Sequence, residues 1–327
     1  MRVMRTQARK LQVLRDMLAY MRPHGSQADK AFRTRYLTSL PNAKTDMWGN
    51  IHVRVGTSCV LWSSHTDTVH RKSGIQHVLH EQDCLLLSDD KRSSCLGGDD
   101  TVGVFLMREM ILAHVPGYYV FHYGEESGGI GSRALASNVE GTFFTPFDCA
   151  IALDRAGTGD VITHQAAERC CSDAFALSLA SQLGGKYAPC PYGTYTDTAE
   201  YTDMIGECTN LSVGYFHAHS RDEFVWLAHV WQLLDSLIHL DQSTLVISRK
   251  AGDCDPDDIG PWWKQYQTVL HRSDAYDDDG ATVIDGTLYD EDGYCVDEDE
   301  DEDKDEDQLY LSPEYAQIVK ALKAETV

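Results

Sequence analysis

Apolar positions near the start of the chain recur at helical spacing. Leu11, Leu14, Leu18 and Met21 mark an amphipathic helix over residues 4–21, and Phe32, Tyr36, Leu37 and Leu40 a second one. The period then shortens. Ile51, Val53 and Val55 alternate as in a half-buried strand, and Cys59-Val60-Leu61-Trp62 is a continuous apolar run that fits a buried one. From there the two signals take turns. Val102–Val115, Ser132–Ser137, Asp173–Leu183 and Phe224–Leu240 are expected to be helices. Tyr118–Tyr123, Cys149–Leu153, Val161–Thr163 and Leu211–Tyr215 are expected to be strands. Such alternation predicts a single three-layer α/β domain with a mostly parallel central sheet and helices on both faces.

The pattern stops near residue 250. Residues 250–327 hold 24 acidic and 6 basic residues, whereas residues 1–249 hold 27 and 22, so most of the net charge of −23 lies in the last quarter. The run Asp297–Asp307 is ten carboxylates and Lys304. A block of like charge repels itself and has no apolar surface to bury. The division expected is therefore a folded domain over 1–249 and an acidic, largely disordered tail over 250–327, with room for a short terminal helix at Tyr310–Leu322. Trp262-Trp263 could anchor that tail to the domain or meet a partner. The acidic balance argues against nucleic acid, whose phosphates need Lys and Arg, and against anionic membranes. No stretch reaches the ~18 apolar residues of a membrane span. The 10 cysteines include no C-x-x-C pair and follow no secretory signal, which fits free thiols in a reducing cytosol.

Candidate chemistry lies where the strands end. His65 follows the Val60–Trp62 strand, Glu125-Glu126 follow Tyr118–Tyr123, Asp154 follows Cys149–Leu153, and His219 lies just past Leu211–Tyr215. Asp99-Asp100 stand before the Val102 helix. Each has an ordinary role open to it: a helix cap, a solvated turn, a surface histidine. Taken together, four of the five sites fall at the carboxyl ends of strands, the edge where open α/β sheets bind ligands. Two histidines and three carboxylates suit two Zn²⁺ ions with one carboxylate shared. Two dications against Asp99, Glu126, Asp154 and one hydroxide give a neutral site. Glu125 is then left free to take a proton from the bound water, and two metals about 3.5–4 Å apart can polarise a carbonyl. Asp67, two residues beyond His65, can set its carboxylate against the second imidazole nitrogen and fix the tautomer. Arg155 is open to two readings, a contact to a substrate carboxylate or a structural ion pair.

The segments Ser64-His65-Thr66-Asp67-Thr68-Val69, Gly97-Gly98-Asp99-Asp100-Thr101-Val102-Gly103 and Gly124-Glu125-Glu126-Ser127-Gly128-Gly129-Ile130-Gly131-Ser132, in this order and spacing, resemble those of the co-catalytic zinc exopeptidases. That group includes bacterial zinc aminopeptidases, tripeptidase and glutamate carboxypeptidase. Asp46-Met47-Trp48-Gly49-Asn50-Ile51 is also similar, and the resemblance spans residues 10–240. It implies the phosphorylase/hydrolase-like zinc exopeptidase fold. By resemblance His65 and Asp154 bind one zinc, Glu126 and His219 the other, and Asp99 bridges. Glu125 matches the general base, and the Asp99-Asp100 peptide matches one that is often cis. His217 is the alternative to His219 within Phe216-His217-Ala218-His219-Ser220-Arg221-Asp222-Glu223. Only residues 155–218 separate Asp154 from His219, too few for the lid or dimerisation domain of the two-domain members, so the chain resembles the single-domain aminopeptidase type. In that interval the loop Tyr192–Asp203, rich in Tyr, Thr and Asp, could form one wall of a substrate pocket.

The activity this implies is hydrolysis of a peptide or amide bond with two divalent cations, first of all removal of N-terminal residues from small peptides. An N-acyl amino acid deacylase or a carboxypeptidase would use the same centre. A non-catalytic metal-binding interaction protein is the reading from a different class. The oligomeric state is left open by the sequence.

Overall fold

The computed structural model describes residues 6–88, 92–138, 142–165 and 168–253 and the strands at 282–284 and 287–289. The chain divides into two compact units, Met1–Tyr266 and Gln267–Val327. In the second, Thr282–Ile284 pairs antiparallel with Thr287–Tyr289. The acidic run, the terminal helix expected at Tyr310–Leu322 and the Trp262-Trp263 pair lie outside the described residues.

The first unit is built on a sheet of eight strands: β1 (Lys44–Thr45), β2 (Ile51–Val55), β3 (Val60–His65), β4 (Gly117–His122), β5 (Cys149–Arg155), β6 (Asp160–Ile162), β7 (Ala188–Cys190) and β8 (Glu207–Ser212). Their spatial order is β7-β6-β8-β5-β3-β4-β2-β1. The four central strands β8, β5, β3 and β4 run parallel. The strands flanking them are turned the other way: β2 lies antiparallel to β4, and β6 antiparallel to β8. Six helices are described, α1 (Gln7–Leu18), α2 (Gln27–Tyr36), α3 (Gly98–Ala113), α4 (Ile130–Asn138), α5 (Asp173–Leu183) and α6 (Leu227–His239). Ser26 and Ser172 start α2 and α5 by accepting the backbone N–H groups of Asp29 and Phe175, so each satisfies a donor the helix cannot.

Strand alternation sorts the core onto two faces. Val60 and Trp62 of β3 and Ile151 and Leu153 of β5 join the apolar cluster of α1, α3, α5 and α6. Leu61 and Ala150 point the other way, to Leu135 of α4 and to Phe144 and Tyr201. Fully burying side chains of this size contributes roughly 1.5–3 kcal/mol each, so the continuous apolar run of β3 is what makes it a central strand. The α/β class and the helices on both faces are as the hydrophobic pattern predicts.

Two elements differ from that pattern. The strand expected at Leu211–Tyr215 is β8, Glu207–Ser212, which starts four residues earlier and is buried throughout despite Glu207, Thr209 and Asn210. Glu207 is paid for by hydrogen bonds from Ser172 and from the backbone of Ser248 and Arg249, and such partners are invisible to a hydropathy pattern. The helix expected over Phe224–Leu240 begins only at Leu227. Phe224–Trp226 is instead a strand, paired with Cys84–Leu87 in a small antiparallel sheet that also contains Tyr215–Phe216 and Val78–Glu81. Aromatic and β-branched side chains favour that choice wherever a partner strand is at hand.

Candidate metal centre

His65 is the last residue of β3 and only 1% exposed. Its backbone N–H donates to Asp100 Oδ2 at 3.2 Å, and its Nδ1 faces the Asp67 carbonyl oxygen at 3.1 Å. Nε2 is thereby turned towards the cluster. It stands 3.0 Å from Asp99 Oδ1, 3.4 Å from Asp154 Oδ1 and 3.9 Å from Glu125 Oε2. The second oxygen of Asp99, Oδ2, lies 3.3 Å from His219 Nε2, which is 3.2 Å from Glu126 Oε1. Asp99 thus offers one oxygen to each histidine. His65, Asp99 and Asp154 bring ligand atoms within 4.8 Å of one another, and so do Asp99, Glu126 and His219.

The backbone explains why these side chains converge. Gly97, at φ 75°, turns the chain before α3, and Asp99 and Asp100 are not helical (ψ 107° and 45°). The Asp99-Asp100 peptide is cis. Asp99 faces His65 and His219, while Asp100 accepts the backbone N–H groups of Gly103 and His65. Gly103 itself packs where a Cβ would come within 1.9 Å of the Leu153 carbonyl oxygen, so only glycine lets α3 rest on β5 beside Asp154. Asp154 is fixed by paired hydrogen bonds to the Asn210 amide, and its Oδ2 accepts from Thr196 Oγ1 at 2.7 Å.

His219 is not carried by a central strand. It sits in the turn between Tyr215–Phe216 and Phe224–Trp226, at φ 67°. The shorter reach of β8 and the strand at Phe224 account for the difference from the sequence pattern. His217 is exposed, its ring 5.9 Å from that of Phe224, and it joins none of the donor groups found among the described residues.

Asp67 takes a position slightly different from the one expected. Its carboxylate is 3.6 Å from His65 Nδ1, while its own carbonyl is the nearer partner. Asp67 Oδ1 accepts the backbone N–H of Glu125 at 3.1 Å, so it steadies the general-base candidate as well. Arg155 donates to Asp160 Oδ2 at 3.2 Å and to the Tyr192 carbonyl, the structural pairing of the two open to it. One residue escaped the sequence reading. Glu223, four positions after His219, is 1% exposed and accepts the backbone N–H groups of Gly97 (2.7 Å) and Asp99 (3.0 Å). It ties the turn of His219 to the loop of Asp99. An acidic residue so close to a candidate ligand was a signal that could have found it.

The electrostatics follow from burial and crowding. Burial would raise Asp99, but hydrogen bonds from His219 and His65 hold it far below the usual carboxylate range. Burial would lower His65, yet Asp154, Asp67 and Asp99 together raise it well above its ordinary value. Asp99 and Glu126 raise His219 to about 10. Glu125 is pushed up to about 9 by burial, with Asp154, Asp197 and Glu126 adding to it against His65. Burial lifts Asp154 to about 6. Carboxylates this crowded call for compensating positive charge, and the donor set, two imidazoles and three carboxylates with Glu125 beside them, is one that divalent transition-metal ions fit. The cluster opens into a cavity of about 340 Å³ walled by Gly193, Thr194 and Tyr195 of the expected loop and by Ile162 and Tyr215.

No protein-family model matches this chain, and no curated protein matches it by sequence. Solved structures do. Aminopeptidase PepT from Bacillus cereus superposes with a TM-score of 0.61 at 14% identity, over 73% of this chain and 99% of that one. A tripeptidase from Staphylococcus aureus gives 0.56 at 14% identity, over 73% and 99%. The TET1 peptidase of Pyrococcus horikoshii gives 0.50 at 17% identity, over 73% and 99%. The chain shares its fold with these peptidases. The eight described cysteines are free thiols, and no helix among the described residues is long and apolar enough to cross a membrane.

Proposed function

We propose that this chain is a metal-dependent exopeptidase that removes N-terminal residues from short peptides. The observation that carries the reading is the division of Asp99, whose Oδ1 faces His65 at 3.0 Å and whose Oδ2 faces His219 at 3.3 Å. His65 and Asp154 would hold one cation, Glu126 and His219 the other, and Asp99 both; two histidines with three carboxylates favour zinc. Two such cations, when bound, supply Lewis acidity towards the scissile carbonyl, lower the pKa of a shared water and keep Glu125 ionised until it receives a proton.

The chain's own residues do the rest. Asp67 and the turn after β4 orient Glu125, whose carbonyl accepts the N–H groups of Gly128 and Gly129. Its carboxylate takes the proton of the attacking water and returns it to the leaving amine. The Gly193–Tyr195 wall limits the space to the low end of small-molecule pockets, which suits the end of a peptide rather than a folded protein. Arg155 lines the same cavity but donates to Asp160, which supports its structural role over recognition of a substrate carboxylate. The structural similarity to aminopeptidases supports the amino-terminal choice.

The test is metal analysis of the purified chain, followed by a panel of aminoacyl, N-acyl amino acid and carboxy-terminal substrates. About two equivalents of divalent metal and hydrolysis of the aminoacyl substrates are expected. Glu125→Gln should keep the metal and lose turnover by about 10²–10⁴-fold. A Glu125→Gln variant with full activity, or bound metal with no amide hydrolysed, overturns the reading.

A further inference from the structure

Two tyrosines line the metal cavity. Tyr215 is buried, with its hydroxyl 3.4 Å from Asp154 Oδ1. Tyr195 is half-buried and bonded elsewhere. Its hydroxyl donates to Glu200 Oε1 at 2.9 Å, the same oxygen that accepts from Arg133 Nε at 3.1 Å. The Arg133 guanidinium also lies over its ring, 5.7 Å from the centroid. A Cβ at Gly129 would come within 2.3 Å of the Tyr195 hydroxyl, so the tip of the ring rests on the turn that carries Glu125 and Glu126, where Gly129 N donates to the Glu125 carbonyl. The same tyrosine lines a second cavity, of about 280 Å³, that reaches Arg133, Ala199, Glu200 and Thr202; Gln165 is the other residue common to both. Tyr195 stands between two spaces, held by a hydrogen bond, a cation and a close-packed turn.

We propose that the ring of Tyr195 sets the size limit of the substrate, restricting this chain to peptides whose first residue has a small side chain. On the exopeptidase reading, on which this rests, a cavity of about 340 Å³ must hold the cations, the attacking water and the end of the peptide together. That is the low end of small-molecule pockets, so a large first side chain finds room only if the wall gives way. The wall is anchored. To move the ring, a substrate would have to break the bond to Glu200, leave the Arg133 guanidinium and lift the hydroxyl off Gly129. One methylene too many in a closed apolar pocket already changes discrimination by roughly 10–200-fold. With the ring removed, the metal cavity opens towards the second one, and that space becomes available to an aromatic side chain.

The probes are L-alanine hydroxamate and L-phenylalanine hydroxamate, titrated calorimetrically into the zinc-loaded full chain, beside hydrolysis of alanyl and phenylalanyl coumarylamides. The wild type is expected to bind the alanine probe more than about tenfold more tightly than the phenylalanine probe and to cleave the alanyl substrate preferentially. Y195A should shrink that ratio by more than about tenfold, by gaining affinity for the larger probe, a gain that a damaged fold cannot produce. Y195L, which keeps more of the packing, should shrink it part of the way. Y195F keeps the ring and should keep the wild-type ratio. Equal affinities in the wild type, no binding of either probe, or a ratio unchanged in Y195A and Y195L overturns the size limit. A ratio as relaxed in Y195F as in Y195A overturns it too, because the hydroxyl and not the ring would then be responsible. Probes discriminated as expected with neither substrate hydrolysed would instead overturn the exopeptidase reading and leave the size limit standing.

Discussion

At the scale of single residues, the centre depends on which histidine enters it. Two histidines two positions apart can satisfy the same motif, and the chain offers His217 and His219. The geometry separates them: His219 Nε2 reaches both Asp99 and Glu126, whereas His217 lies beside Phe224. His219→Ala is therefore expected to lose about one equivalent of bound cation and most activity, and His217→Ala to keep both. Metal content after gel filtration decides it, and loss of cation from the His217 variant alone would reverse the assignment. His65, Asp99, Glu125, Glu126 and Asp154 were legible because polar, ligand-type residues at the ends of apolar strands have few cheap roles in common. Glu223 was not, because its task is to accept two backbone N–H groups, and backbone partners leave no mark in a side-chain motif.

At the scale of elements, two packing contacts hold the ligand segments in place. Glu223 joins the turn of His219 to the loop that precedes α3. Glu223→Ala leaves two buried N–H donors without an acceptor, at a cost of about 1–3 kcal/mol each. It should lower the urea midpoint and also the affinity for the cation that Asp99, Glu126 and His219 would share. Glu223→Gln keeps one carbonyl oxygen and should fall between. Competition with a graded chelator reads the second effect; unchanged cation affinity with lowered stability would leave Glu223 a purely structural role. Gly103 is the other contact. Gly103→Ala drives a Cβ into the Leu153 carbonyl one residue from Asp154, and a loss of about 1–3 kcal/mol or more in urea unfolding is expected. The helices α3 and α5 and the strands β3, β4 and β5 were legible from hydrophobic period alone. The small sheet of Val78–Glu81, Cys84–Leu87, Tyr215–Phe216 and Phe224–Trp226 was not, since its strands are only two to four residues long and the pairing that joins its two halves, Phe224–Trp226 on Cys84–Leu87, spans more than a hundred residues.

At the scale of the whole molecule, the candidate ligands come from the end of β3, the start of α3, the turn after β4, the end of β5 and the turn of the small sheet. Cations held there would cross-link segments spread from residue 65 to residue 219, so their binding free energy adds to folding stability as RT ln(1 + [M]/Kd). The size of that addition depends on pH, and its sign can be worked out. In the protein stripped of cations, His219 titrates at about 10 and His65 well above its ordinary value, so both carry a proton at neutrality. A metal ligand must be a neutral imidazole, so the two histidines release about two protons when the site loads, Glu125, held at about 9 without cations, adds to them as it ionises, and affinity rises with pH. The two imidazole protons alone correspond to about 2.7 kcal/mol per pH unit at fixed free cation. The gap in melting temperature between the loaded and the chelated chain should therefore widen from about pH 6 to about pH 8, and calorimetry in buffers of different ionisation enthalpy should count the protons. An equal gap at both pH values, with no protons released, would mean that His65 and His219 do not bind the cations, and the shared role of Asp99 between them would fall with it.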